Sequence, residues 1–198
     1  MKRNRHYALI PSSFGRLMVA WEETGTGPQV QRILLPRERS PEEEALLEKH
    51  SVPPESSPAI AELGDRLTRF LEGEEVVFPL DRIALERCPH FQQKVLLAEY
   101  RVPRGWVTTY GRIAAHLGVP GAARAVGGAL ARNPFPIIIP CHRAIAAHGG
   151  LGGYQGGLAM KRALLEMEGI EFSPAGRVVS DRIYWPAATS PTSPSRPR

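Results

Sequence analysis

"TTYGRIAAHLGVPGAARAVGGALARNP", residues 108–134, divides into two helix-forming runs around the turn Gly118-Val119-Pro120. A short helix, a turn and a second helix make a helix-turn-helix pattern, an arrangement that sets one helix against nucleic acid. The second run is chemically odd. Ala122, Ala123, Ala125, Gly127, Gly128, Ala129 and Ala131 leave a nearly bare cylinder, with Arg124 as its main long side chain. Each interior glycine costs roughly 1 kcal/mol against alanine in a helix, so the pair needs a reason. One reason is close packing of helix on helix. The other is an outside surface that must approach the backbone, with Arg124 protruding toward it. The run has no Asn, Gln or Ser to reach base edges, so it suits lying on DNA better than reading it.

Upstream, "PHFQQKVLLAEYRV" (89–102) places Phe91, Val95, Ala98 and Val102 on one helical face before the turn "PRGW". Downstream, "GLAMKRALLEMEG" (157–169) is a further helix, with Met160, Leu164 and Met167 on one stripe and Gly169 as its cap. The first third reads differently. "YALIPSSFGRLMVAWEE" (7–23) predicts two strands joined by a Pro-Ser-Ser-Phe-Gly turn, "VQRILLP" (30–36) a third, and "VVFPL" (76–80) another. Between them Ile60, Leu63, Leu67, Phe70 and Leu71 recur at helical spacing and stop near Gly73. The charged, Pro- and Ser-rich segment 37–58 is partly loop, and the tail from Pro186 is expected to be disordered. Together these predict an α+β chain: a small α/β unit over 1–85, a mainly helical unit over 86–185, and a tail over 186–198.

Bulk properties agree with a globular protein. Of the 198 residues, 42% are hydrophobic and 23% charged, and the net charge of +5 tilts toward a polyanionic partner, nucleic acid being the commonest. Two cysteines, Cys88 and Cys141, are too few and too far apart for a disulfide scaffold or a paired-thiolate zinc site. That usage suits a reducing, intracellular compartment, and a cytoplasmic location (nuclear in a eukaryote) is expected. The start of the chain is a poor secretory signal, and no run approaches the ~20 apolar residues of a membrane span.

The chemistry concentrates in "NPFPIIIPCHRAI" (133–145), where Cys141 stands between Pro140 and His142 at the end of an apolar run. A lone cysteine after three isoleucines reads first as a buried small hydrophobe. A thiolate, however, is a nucleophile, and neighbouring basic groups such as His142 and Arg143 can supply it. In an extended segment adjacent side chains point to opposite faces. His142 therefore reaches Cys141 only if the chain turns there or a water carries the proton.

"NPFPIIIPCHR", with "RAVGG" upstream and "GGYQGGLAMKRALLEMEG" downstream, resembles the O6-alkylguanine-DNA alkyltransferases, or methylated-DNA–protein-cysteine methyltransferases. The resemblance runs over residues 91–169 and includes "TYGRIAAHLG" and "AARAVGGALARNP" in the expected order. It implies a ribonuclease-H-like sheet and helix in the N-terminal unit, followed by a winged-helix-like half carrying the helix-turn-helix. It also implies direct, stoichiometric transfer of an alkyl group from O6 of guanine in double-stranded DNA to Cys141. The damaged base is flipped out of the stack, and the bare helix lies in the minor groove.

The resemblance assigns roles residue by residue. His142 draws off the thiol proton through a water and is held by Glu168, a carboxylate whose place in the last turn of a helix opposes the macrodipole and calls for a partner. Asn133 ties the helix pair to the reactive segment. Tyr110 holds the target base and its phosphate and can protonate the leaving guanine. Arg124 fills the vacated stack, and Ala123, Ala125 and Gly127 lie against the DNA. Pro136, Tyr154 and Gln155 line the base pocket, although several relatives carry serine at the place of Gln155. No cofactor and no metal are implied, a monomer is expected, and O4-alkylthymine stays open as a second substrate. Cys88 reads as structural. Competing readings are a lesion-binding relative without transfer, a transcription factor, and a Cys-His hydrolase.

Overall fold

The computed structural model describes residues 5–36, 53 and 57–185. Most of the 37–58 segment and the 186–198 tail therefore lie outside the described residues. Strands β1 (Arg5–Ile10), β2 (Leu17–Thr24) and β3 (Gly27–Leu34) form an antiparallel sheet in sequence order, with a bulge between Ala20 and Trp21. The central strand β2 is buried from Leu17 through Glu22. Helix α1 (Pro58–Leu71) buries Ile60, Leu67, Phe70 and Leu71, close to the set read from the sequence.

"VVFPL" is not a strand. Residues 76–80 run without a ladder, because Pro79 has no N–H to give one and side chains take the nearby carbonyls. Arg66 donates to Val77 O at 2.9 Å and Tyr100 to Phe78 O at 2.6 Å. The sheet contact falls later, where Ile83 bridges Val30.

Four more helices follow: α2 (His90–Tyr100), α3 (Tyr110–His116), α4 (Ala123–Ala131) and α5 (Gly157–Met167). The face of α2 differs from expectation in one respect. Phe91 is 37% exposed, while Gln92 and Glu99 are buried with Val95, Leu96 and Ala98. Gln92 has a clear reason to be inside: its amide donates to Ala129 O and Arg132 O at 3.0 and 2.9 Å, satisfying carbonyls that the end of α4 leaves open. Gly169, at φ 81°, ends the run after α5 as its spacing predicted.

One continuous apolar cluster reaches from the sheet and α1 into the helices. The backbone joins them too, with Ile33 N–H donating to Pro134 O at 2.8 Å. Arg104 donates to Gly73 O, Glu74 O and Met167 O, tying the end of α1 to the end of α5. As a result the Phe70 ring stands edge-on to His142 with centroids 6.1 Å apart. Helix α1 thus stands against the back of the reactive segment. No helix among the described residues is long and apolar enough to cross a membrane.

Candidate active site

Two short strands bring the reactive groups together. β4 (Thr108–Thr109) pairs in parallel with β5 (Ala144–Ile145), matching Thr108 to Ala144 and Thr109 to Ile145. Tyr110 follows β4 directly, and a 3₁₀ turn, Cys141–Arg143, leads directly into β5. The chain therefore does turn at Cys141, yet no hydrogen bond joins Cys141 to His142 among the described residues. The Thr109 hydroxyl caps α3 by accepting from Arg112 N–H at 3.2 Å, which fixes where Tyr110 starts.

Asn133 holds the other side. Its amide donates to Ile139 O at 3.0 Å and to Cys141 Sγ at 3.2 Å, and its carbonyl oxygen accepts from Phe135 N–H at 2.9 Å. The segment between these contacts is strained: Ile137 sits at φ 74°. That region costs a β-branched residue about 1–3 kcal/mol, and the surrounding packing must hold it. Ile137 is 1% exposed, so the packing is there.

Behind the thiol runs a buried polar chain. Glu168 meets His142 Nε2 through Oε1 at 3.1 Å and Arg143 through both oxygens, at 2.9 and 2.7 Å. Burial alone would raise the Glu168 carboxyl. His142 and Arg143 outweigh it and hold the group down at about 2. Burial lowers His142 against the pull of Glu168, so its imidazole is neutral. A neutral ring facing a carboxylate keeps its proton on Nε2, which leaves Nδ1 as the acceptor. Nδ1 is buried and has no hydrogen-bond partner among the described residues.

Cys141 itself rests as a thiol. Burial pushes it up to about 11, more than the Asn133 hydrogen bond and Lys161 pull it down. The neighbouring cations suggested by the sequence do not by themselves supply a thiolate, because burial outweighs them. Ionisation needs a base, and His142 offers Nδ1, which has no partner among the described residues.

Cys141 is 6% exposed, and what exposure it has opens into a cavity of about 370 Å³. The wall contains Tyr110, Ala123, Arg124, Gly127, Tyr154 and Gln155, so most of the residues singled out in the sequence converge on one space. Pro136 does not reach it: it is buried in the tight turn where it bridges Ile139. Ala125 is exposed on α4 beyond the rim. Tyr110 is wedged against Gly152, where a Cβ would come within 2.4 Å of the phenol oxygen. Gln155 does more than line the wall, since its amide donates to Asn133 O at 2.7 Å. The Tyr154 hydroxyl is buried without a partner among the described residues. Cys88 is buried at 8% exposure, away from this wall.

The structure also bears on the first of the two reasons for the bare helix. Val126, Ala129 and Leu130 face inward on α4, whereas Arg124, Ala125 and Ala131 are exposed. A Cβ on Gly127 would sit 3.9 Å from the Tyr110 ring, and one on Gly128 3.6 Å from the Arg132 guanidinium. Both are ordinary contact distances, so internal packing does not require either glycine.

Three polar residues of the site escaped the sequence reading. Arg143 was read only as a basic neighbour able to favour a thiolate; it is instead the cation that fixes Glu168. Lys161, fully buried, donates to Ala144 O and Leu151 O, both at 2.6 Å. Glu99, fully buried on α2, looked like one more charge on a helix. No local signal marks the last two.

Residues 90–170 match the family described as 6-O-methylguanine DNA methyltransferase, DNA binding domain. The methylated-DNA–protein-cysteine methyltransferase of Methanothermobacter thermautotrophicus is 48% identical over 118 residues, 59% of this chain and 66% of that protein. The chain thus spans just under two thirds of that relative's length. The Mycolicibacterium paratuberculosis protein of the same name is 41% identical over 127 residues, 64% of this chain and 75% of its own. Among solved structures, Mycobacterium tuberculosis OGT in complex with DNA superposes with a TM-score of 0.65 at 38% identity, covering 82% of this chain and 92% of that one.

Proposed function

The chain belongs to the methylated-DNA–protein-cysteine methyltransferase family, and from that premise we propose that it repairs DNA by moving an alkyl group from O6 of guanine onto Cys141. One observation carries the reading: a buried thiol opens into a cavity bounded by the bare, exposed-backed helix α4 and is served from behind by a His142–Glu168–Arg143 chain. O6 lies in a stacked, paired base and must be brought to the sulfur, so the nucleotide is flipped out at a cost of a few kcal/mol. Arg124, exposed at the rim, enters the gap in the stack and offsets part of that cost. Helices α3 and α4 act as the helix-turn-helix of a winged-helix-like half, with α4 in the minor groove. The 1–85 unit, a ribonuclease-H-like support, buttresses His142 from behind through Phe70.

The proton leaves Cys141 through a water to His142 Nδ1, and Glu168 stabilises the imidazolium that results. The thiolate, steadied by the Asn133 amide, attacks the alkyl carbon; the S–C bond forms as the C–O bond breaks. The departing guanine takes a proton from the Tyr110 hydroxyl, and solvent entering through the open cavity returns one to the phenol oxygen. The product is a thioether, inert to water, and no second nucleophile lies in the cavity wall to clear it. Each chain therefore acts once, as a monomer.

The deciding experiment incubates the protein with a duplex carrying one O6-methylguanine and weighs its peptides. A gain of one methyl on the peptide holding Cys141, at one per chain, is expected. An unmodified peptide beside intact lesion DNA refutes the reading.

The glycines of α4 give a second test. Replacing both Gly127 and Gly128 by alanine should stabilise the fold by about 1–2 kcal/mol, as neither Cβ meets an obstacle. It should also weaken binding to lesion DNA several-fold by holding the duplex off the helix. Urea denaturation and a gel-shift titration read the two effects. Stability gained with binding unchanged would remove DNA from the account of this helix.

A further inference from the structure

Two buried ionisable groups flank Cys141 and take no part in the proton path above. Helices α2 and α5 both pack against the Cys141–Arg143 turn. From α2 comes Glu99, 0% exposed, with neither carboxyl oxygen hydrogen-bonded to any described residue. From α5 comes Lys161, also 0% exposed, whose ammonium is spent on carbonyls: Ala144 O, Leu151 O and, at 3.5 Å, Gly153 O. Packing alone does not account for a buried carboxyl with no donor among the described residues, since leucine would fill the space without an unmade hydrogen bond. Its field does reach the site: a charge on Glu99 opposes ionisation of both Cys141 and Tyr110, whereas Lys161 favours the Cys141 thiolate.

We propose that Glu99 is a buried governor of Cys141, a positioning residue that sets through space how far the thiol can be activated as the solution becomes alkaline. The groups facing it are Lys161 of α5, Arg143 and Cys141 of the turn, and Tyr110 at the start of α3. The buried side chains of α4 are apolar. Burial raises Glu99 to about 8 against the pull of Lys161 and Arg143, and burial lowers Lys161 to about 8. Near neutrality the pair is therefore an uncharged acid and an ammonium, and the thiolate is favoured. Above pH 8 it becomes a carboxylate and an amine, and the field at the sulfur reverses in sign. Reactivity should then level off where an ordinary thiol keeps gaining.

The consequence for repair rests on the alkyl-transfer reading, but the effect on the sulfur does not. The test compares the native chain with Glu99→Gln, using iodoacetamide and reading the Cys141 peptide from pH 6.5 to pH 9.5. The two should label at the same rate at pH 6.5, and the variant roughly threefold or more faster at pH 9. Superimposable profiles overturn the proposal, and so does a difference of the same factor at every pH, which marks a merely structural effect. Melting gives a second readout. A carboxyl raised on folding subtracts stability as pH climbs from 4.5 toward 8, so the variant should melt higher than the native chain at pH 8 and level with it at pH 4. Equal melting at both also counts against it. Methyl transfer from an O6-methylguanine duplex is run in parallel. If neither protein transfers while the labelling difference persists, the alkyl-transfer reading falls and the role of Glu99 stands.

Discussion

Cys141→Ser is expected to bind lesion-bearing duplex within a few-fold of the native chain and to transfer no alkyl group at all. The substitution is nearly isosteric at a site 6% exposed, and a serine oxygen can still accept the Asn133 amide that now reaches Sγ at 3.2 Å. The cavity and the face of α4 are untouched, so the contacts that hold DNA remain. What disappears is the reagent. A hydroxyl is a far weaker nucleophile than a thiol with a base behind it, and no other nucleophile lies in the wall. A gel shift and peptide mass analysis on one sample read both halves. Residual methylation on another residue would relocate the acceptor. Loss of binding would mean that the sulfur contributes to recognition. The same sample separates the competing readings: a lesion-binding relative without transfer leaves the native peptide unmodified, and a Cys-His hydrolase turns over an ester without consuming itself.

Glu168→Gln should be the most damaging substitution for stability. Arg143 is 10% exposed at its side chain and directs two of its nitrogens to Glu168, whose own side chain is 0% exposed. Removing the charge leaves a buried guanidinium uncompensated, a loss of about 3–5 kcal/mol. For a chain of this size that lowers the melting temperature by roughly 6–20 °C. Transfer should fall with it, because the imidazolium formed at His142 loses its counter-charge. Pairing the change with Arg143→Met should restore part of the stability and none of the transfer. Full stability in the single variant would show that the pair is not buried as described.

The same carboxylate sets an acid limit. Its folded value of about 2 lies below the ordinary 4.5, so ionised Glu168 favours the fold. That contribution is fully present above pH 4.5 and vanishes as the pH falls through 2; it amounts to about 3 kcal/mol. Glu168→Gln should therefore flatten the acid side of the melting curve between pH 4.5 and pH 2.

Much of this molecule was open to reading along the chain. Helix α1 and the antiparallel strands announced themselves by spacing, and Gly169 marked the end of α5, since periodicity and turn chemistry are local. The reactive segment was legible in part for the same reason: Cys141 and His142 are neighbours, which suggested a nucleophile beside a base but left a buried cysteine as an equal reading. Asn133, Glu168 and Tyr110 gained their roles only through the family resemblance, as nothing near them in the chain says what they face; Arg124 stood out by itself as the long side chain of the bare helix.

The rest was decided in three dimensions. "VVFPL" has the composition of a strand, but its carbonyls were taken by Arg66 and Tyr100, which arrive from other elements. Arg143 finds Glu168 across 25 positions, and Gln92 reaches the end of α4 across 37 and 40. Glu99 and Lys161 look like solvated helix charges until packing removes the water. Whether Cys141 rests as thiol or thiolate also depended on that drying, since desolvation outweighed every neighbour the sequence placed beside it. Chain order determined which groups are present and which stretches coil or extend. Burial and the approach of distant charges, which exist only once the chain has folded, determined the protonation state in which each of them waits.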